Sequence, residues 1–334
     1  MTAKATVVAP ANIAFIKYWG TQDWDQTLPF NPSISMTLRE CVTRTTVELI
    51  ERSEGDSVLL RTAEGSLEPA AEAFRQRLEP HLDRLRRWAG EEVAFRVATE
   101  NSFPMGAGMA SSASGFAALT LAVVAALGKQ TSGEEASVLA RLSGSGSASR
   151  SVLGGYVRWP AGEEPGEEHA VQLASADHWD LRDVVAVLQE QAKEVSSREG
   201  HERAPSSPYF EPRQKLLPDR LETVTQAILA RDFSSLAQTV EEEAIDLHLI
   251  AMSSHPPIFY WRPGTLEVLA AIRLLRQDGV EVCATMDAGA NVHMICTPDS
   301  EAAVAEVVGA ITEVGYLIYD GVGQGPRTIE EHLV

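Results

Sequence analysis

The apolar positions change period several times along the chain. Residues 5–16 ("ATVVAPANIAFI") and 34–50 run apolar with β-branched residues, which predicts strands. "SVLLRTA" at 57–63 and "EVAFRVATE" at 92–100 read the same way. Residues 69–89 carry their apolar side chains at helical spacing among many arginines. The run "GFAALTLAVVAALG" at 115–128 predicts a buried helix over about 111–127, followed by a helix at 133–142. That run is too short to cross a bilayer.

In the second half, "GGYVRW" at 154–159 and "DVVAVLQ" at 183–189 predict strands, with a polar turn at 161–169 between them. The segment 193–213 is polar. Helices follow at about 214–230, 232–250 and 265–278. "VEVCATMDAGANVHMIC" at 280–296 reads as a hairpin-like pair, then come a last helix near 300–314 and a final strand, "GYLIYD". Strands and helices mix without a strict βαβ rhythm, so an α+β fold is expected rather than a doubly wound sheet. There is no internal repeat and no low-complexity tract.

A length of 334 residues predicts two lobes, and 44% hydrophobic residues suffice for a large core. The net charge of -19 argues against nucleic acid as a partner but allows a small anionic ligand in a local basic pocket. Three cysteines without a close pair (Cys41, Cys283, Cys296) argue against a disulfide framework and a cysteine metal site. Eight histidines show no metal-ligand spacing. The first residues lack a leader pattern and no stretch is long enough for a membrane span, so a cytoplasmic protein is expected.

Three polar loops carry candidate chemistry. In "PMGAGMASSASG" at 104–115, Gly106 and Gly108 permit a tight bend, and Ser111 and Ser112 suit the start of a helix whose free amides attract phosphate. No Gly-Lys-Ser/Thr follows, so this is not a Walker loop, and a glycine-rich turn before a core helix is the plain alternative. Residues 143–151 offer Ser143, Ser145, Ser147, Ser149 and Ser151 around Arg150, a fork suited to carboxylate or phosphate; the alternative is a flexible linker. Ser196, Ser197 and Arg198 could hold a third phosphate or form an ordinary loop. Asp287 could orient or deprotonate a hydroxyl, or be a turn aspartate bonding its own backbone. Lys17, beside Tyr18 and Trp19, could meet an anionic substrate or reach out to solvent.

Taken in order, "ANIAFIKYWG", "NPSISMTL", "FPMGAGMASSASGFAAL", "GSGSASRSVLGGYVRW", "KEVSSREG", "PPIFYW" and "TMDAGANV" resemble the mevalonate diphosphate decarboxylases of the GHMP kinase superfamily over nearly the whole chain. Ala110, where related kinases usually carry glycine, fits the decarboxylases. The resemblance implies a two-lobed GHMP kinase fold. Its N-terminal lobe (1–182) would resemble the second domain of ribosomal protein S5, and its C-terminal lobe (183–334) would be ferredoxin-like. It implies ATP with Mg²⁺, phosphorylation of the tertiary 3-hydroxyl of a phosphorylated mevalonate, then loss of phosphate and CO₂. It also implies a small-molecule substrate and a homodimer.

Residue by residue, Asp287 matches the aspartate near the 3-hydroxyl, Arg150 the arginine that holds the substrate carboxylate, and Lys17 an electrostatic lysine. Pro104, Gly106, Ala107, Gly108, Ala110, Ser111 and Ser112 would hold ATP phosphates. Asn12, Tyr18, Thr21, Arg77, Ser145, Ser147, Ser197 and Arg198 would line the substrate pocket, Arg77 through a looser match. No metal ligands are assigned. The family's usual "YWGK" reads "YWGT" here, placing Thr21 where a lysine faces the terminal phosphate of the diphosphate. Losing a charged hydrogen bond costs about 1.5–3 kcal/mol. Mevalonate 5-phosphate is therefore the expected substrate and isopentenyl phosphate the product, with the 5-diphosphate as the alternative. Ser197 and Arg198 resemble a diphosphate-binding pair and argue the other way. Ala290 stands where proline is usual, and Ser143 is an apparent insertion. A kinase that stops at O3 and a non-catalytic ligand sensor on the same fold are the competing functions.

Overall fold

The computed structural model describes residues 3–62, 64–104, 111–161, 168–188 and 194–334. The apolar N-terminal run becomes β1 (Lys4–Ile16), followed by a short hairpin of β2 (Thr21–Asp23) and β3 (Leu28–Pro29) and by the long β4 (Ser33–Glu51). Then come β5 (Ser57–Arg61), β6 (Leu67–Pro69), α1 (Glu72–Ala89), β7 (Val93–Asn101), α2 (Ser111–Ala126), α3 (Gly133–Arg141), β8 (Tyr156–Trp159) and β9 (Val171–Ala174). The second half contains β10 (Arg182–Val187), α4 (Ser197–Arg203), α5 (Phe210–Ala230), α6 (Phe233–Ser253) and α7 (Pro263–Gln277). It ends with β11 (Val282–Thr285), β12 (Val292–Cys296), α8 (Glu301–Gly309), β13 (Tyr316–Gly321) and β14 (Arg327–Ile329).

Among the described residues, two large sheets form. The first runs β14-β1-β4-β7-β5-β6, with β8 and β9 continuing from β4. One edge of β4 pairs with β1 over most of its length, while the other edge serves β8 through Ser33–Met36 and β7 through Thr43–Glu51. The helix α2 lies against β1 and β4 and is buried along most of its length, which its largely apolar sequence allows. The second sheet runs β11-β12-β10-β13 and is antiparallel throughout, the strand order of a ferredoxin-like β-α-β-β-α-β unit. Helices α5 and α6 sit between the sheets. Their Leu217, Val224 and Val240 join Ile13, Phe15 and Met36 of the first sheet and Val185, Cys283 and Ile295 of the second in one core.

Three expectations need correction. The helix expected from residue 69 starts at Glu72, because Pro69 ends β6 and pairs with β5. The polar segment 193–213, whose Ser196–Arg198 cluster could have been an ordinary loop, contains α4, whose Ser196 and Glu199 form a capping box, so a polar stretch is helical through its cap rather than through an apolar face. "GYLIYD" is not the final strand, because the chain returns to the first sheet and β14 pairs with β1. That return is reinforced by Thr6 to His332 (2.7 Å) and by the Leu333 N–H donating to the Thr46 hydroxyl (2.9 Å). Most of the expected turn at 161–169, residues 162–167, lies outside the described residues.

A bulge joins the two sheets. The β1–β4 ladder jumps from Pro10↔Val42 to Asn12↔Thr37, so residues 38–41 of β4 lose their ladder partners on β1. The buried Asp320 carboxylate of β13 accepts the N–H groups of Arg39 (2.7 Å), Glu40 (2.9 Å) and Cys41 (2.8 Å) there, as well as that of Gly321 (2.7 Å). Asp320→Ala strands these donors without an acceptor. The expected destabilisation is at least about 3 kcal/mol, read as a lowered denaturant midpoint.

Candidate active site

Lys17 is the first residue past β1, where the strand leaves its ladder. Its side chain is 1% exposed, and its Nζ donates to Asp287 Oδ1 at 2.9 Å. Asp287 sits in the turn between β11 and β12. That turn is pinned on both sides: Thr265 donates to the Ala290 carbonyl at 2.8 Å, and Leu188 N–H donates to Asn291 Oδ1 at 2.8 Å. Thr285 Oγ1 donates to the Ala14 carbonyl at 3.3 Å, tying β11 to β1 just before the two charged residues. The Lys17–Asp287 pair thus spans the two sheets.

Burial pulls the Lys17 ammonium below its ordinary value, and Asp287 and Glu243 only partly offset this. Burial alone pushes the Asp287 carboxyl up, but Lys17, with His293 and Arg150 behind it, holds it below the usual carboxylate value. Asp287 is therefore ionised at neutral pH, and its side chain keeps 22% exposure. Such a carboxylate accepts a hydrogen bond from a hydroxyl and keeps it aligned.

Arg150 lies 2% exposed at the end of the turn that follows α3. Its guanidinium donates to Asn12 Oδ1 (3.1 and 3.2 Å) and to the hydroxyls of Ser35 (3.0 Å) and Ser33. Asn12, expected to line the substrate pocket, donates to Ser151 Oγ (2.8 Å) and the Ser147 carbonyl (3.2 Å) while accepting from Arg150. Burial lowers the guanidinium to about 10, which leaves it charged at neutral pH. Ser145 reaches the hydroxyls of Ser112 and Ser147, both at 3.3 Å, so the serine-rich turn abuts the first turn of α2. Ser143 Oγ accepts the Ser145 N–H at 3.3 Å and starts that turn.

A second group lines the entrance. The Tyr18 hydroxyl meets Thr21 Oγ1 at 2.5 Å, and burial raises the phenol to about 12, so it stays a neutral donor. The Tyr18 ring lies 4.1 Å from His201 of α4, whose Nδ1 accepts the Gly20 N–H at 2.9 Å. Ser197 opens α4, and Arg198 sits exposed over Trp24 (4.8 Å to the ring centre) with Glu202 at 3.2 Å. Arg77 lies apart from Lys17, Arg150 and Asp287. It lines a cavity of about 350 Å³ between α1, α2, β5 and β7, stacked over Phe116 at 5.6 Å. Thr62, Asn101, Ser111 and Ser112 supply the cavity's polar rim. Its size is that of a small-ligand site. Burial, and after it the charge of Arg198, holds the Arg77 guanidinium below its ordinary value. Pro104 leads into the expected phosphate loop; Gly106, Ala107, Gly108 and Ala110 lie outside the described residues.

A family model for the diphosphomevalonate decarboxylase-like N-terminal domain matches residues 9–171. One for the mevalonate 5-diphosphate decarboxylase C-terminal domain matches residues 183–315. The diphosphomevalonate decarboxylase of Aspergillus fumigatus is 34% identical, covering 99% of this chain and 95% of its own. This chain belongs to the diphosphomevalonate decarboxylase family. As a member it is an ATP-dependent carboxy-lyase with a two-lobed GHMP kinase fold. The mevalonate diphosphate decarboxylase of Staphylococcus aureus superposes with a TM-score of 0.91 at 31% identity, covering 99% of both chains. A family structure described as MDDEF in complex with MVAPP, AMPPCP and magnesium gives a TM-score of 0.89 at 32% identity, covering 99% of this chain and 100% of that one.

Some residues at this decarboxylase-family site gave no signal in the sequence reading. Asn31, Arg213 and Glu243 surround the Lys17 backbone, and His201 braces Tyr18. Arg213 and Glu243 lie on helices where charges read as solvated faces. For α4 a signal existed: Ser-Ser-Arg-Glu at 196–199 is a capping box. No helix among the described residues is long and apolar enough to cross a membrane.

Proposed function

We propose that this protein converts mevalonate 5-diphosphate and ATP, with Mg²⁺, to isopentenyl diphosphate, ADP, phosphate and CO₂. The observation that carries the proposal is the buried Lys17–Asp287 pair at 2.9 Å with the Arg150 charge beside it. A tertiary hydroxyl placed against the Asp287 carboxylate donates to it and points its lone pair at an incoming phosphoryl group. Lys17 keeps that carboxylate ionised and adds positive charge where phosphate negative charge gathers. Arg150, fixed by Asn12, Ser33 and Ser35, is positioned to hold the substrate carboxylate until it leaves as CO₂.

The cavity beside Arg77 fits a nucleoside: an apolar floor from Leu60, Phe74 and Phe116, a polar rim, and the start of α2 at one end. ATP supplies the phosphoryl group that turns the hydroxyl into a leaving group. No cluster of three His, Cys, Asp or Glu among the described residues could hold a metal by itself. That suits Mg²⁺ carried on nucleotide phosphates with few protein ligands. These assignments extend to Ser111, Ser112, Ser145 and Ser147 on the phosphate path.

The expectation of a monophosphate substrate rested on Thr21, and the relatives do not support it. Further fungal relatives at 32–34% identity also carry the name diphosphomevalonate decarboxylase. A substitute for the missing lysine is Arg198, exposed at the start of α4 beside Trp24 and Glu202, while Thr21 is tied to Tyr18. The test is kcat/KM for CO₂ release with each substrate. We expect the diphosphate to be preferred by at least about tenfold, the worth of one charged contact. Preference for the monophosphate would restore the Thr21 argument. ATP turnover without CO₂ from either would leave a kinase.

A further inference from the structure

The peptide groups of Lys17 are held largely by two helices of the second half of the chain, α5 and α6. Its carbonyl accepts from Arg213 of α5 at 2.7 Å and from Asn31 Nδ2 at 3.0 Å. Its N–H donates to Glu243 Oε2 of α6 at 3.2 Å. Arg213 donates to that same oxygen at 2.7 Å, and Arg220 donates to Glu243 Oε1 at 2.6 Å. Glu243 and Arg213 have side chains 0% and 1% exposed. Burying charges of this kind is a weak route to stability, because desolvation offsets most of the attraction. The arrangement has a clear geometric effect instead. Lys17 stands just past the end of β1, and the Glu243 carboxylate holds its N–H while Arg213, itself held by Glu243, and Asn31 hold its carbonyl.

We propose that Glu243 is a positioning residue for the reaction, holding the Lys17 backbone from α6 so that Nζ stays on Asp287. The proposal rests on the decarboxylase reading above, in which Lys17 and Asp287 act on the substrate. Glu243 also adds negative charge beside Lys17, which otherwise faces Asp287 and the like charge of Arg150. Without it, the Lys17 ammonium gives up its proton at lower pH.

Glu243→Gln keeps an acceptor for the Lys17 N–H but removes the charge that holds both arginines. In folded enzyme we expect kcat for CO₂ release to fall by about tenfold or more, with nucleotide affinity unchanged and the alkaline limb of the kcat profile moved to lower pH. A purely structural Glu243 would lower the melting temperature while leaving kcat and the alkaline limb of the folded fraction in place, and that overturns the proposal. If Glu243→Gln does not fold, Arg213→Lys carries the test. It keeps a buried cation beside Glu243 but cannot bridge that carboxylate and the Lys17 carbonyl. It should lower kcat with the alkaline limb unmoved, and an unchanged kcat overturns the proposal. Wild-type enzyme that releases no CO₂ would instead sink the decarboxylase reading itself.

Discussion

Asp287→Asn is expected to cut kcat for CO₂ release by about a thousandfold, the scale of losing a positioned acid–base group. The amide keeps the shape of the carboxylate but not its charge. It leaves the Lys17 ammonium, 1% exposed, facing a neutral group in place of its partner at 2.9 Å. It also gives the hydroxyl a weaker acceptor. The cavity beside Arg77 is built from other elements, so nucleotide affinity should stay near normal. Single-turnover CO₂ release and a nucleotide titration check both parts. A loss of less than about tenfold would remove Asp287 from the chemistry.

Lys17→Met is the second large effect, with an expected loss of about a hundredfold or more in kcat/KM. Its distinguishing mark is the pH dependence. In the wild type, burial favours the neutral Asp287 carboxyl, and Lys17 is the largest influence against it. The folded value lies below the ordinary one, so the ionised form persists well into acid. Without Lys17, burial dominates and the carboxyl takes up its proton at higher pH. The acid limb of kcat/KM should therefore move up in pH. A limb that stays in place would mean that Lys17 does not govern the charge of Asp287.

How far the protein was legible in its sequence depends on which forces shaped each part. The long strands β1 and β4 and the apolar helix α2 announce themselves because burial writes a pattern over many residues. The short strands β6 and β14 have three residues each and owe their form to a partner strand, which no local pattern records. Helix α4 is polar and seven residues long, held by its cap. At the site, Lys17, Arg150 and Asp287 stood out as charged residues in unusual local company, supported by family resemblance. Their partnerships did not stand out. Lys17 and Asp287 are 270 positions apart, and Glu243 is 226 positions from Lys17. Asn12 reads as a substrate ligand, and its hold on Arg150 gives no local signal. Thr21 reads as a lost charge, and the sequence itself offers Ser197 and Arg198 as the counter-argument.

The return of β14 to β1 bears on how the chain is made. On the ribosome β1 emerges long before β14, the strand that covers its outer edge at Thr6–Val8. Until residues 327–329 emerge, β1 presents an open row of backbone donors and acceptors beside exposed apolar side chains. The first sheet to be synthesised is thus the last to be finished, and the intervening lobe must fold while that edge waits. Translation of this protein is a period of sticking risk, and nascent chains paused before residue 327 should be the ones that chaperones hold.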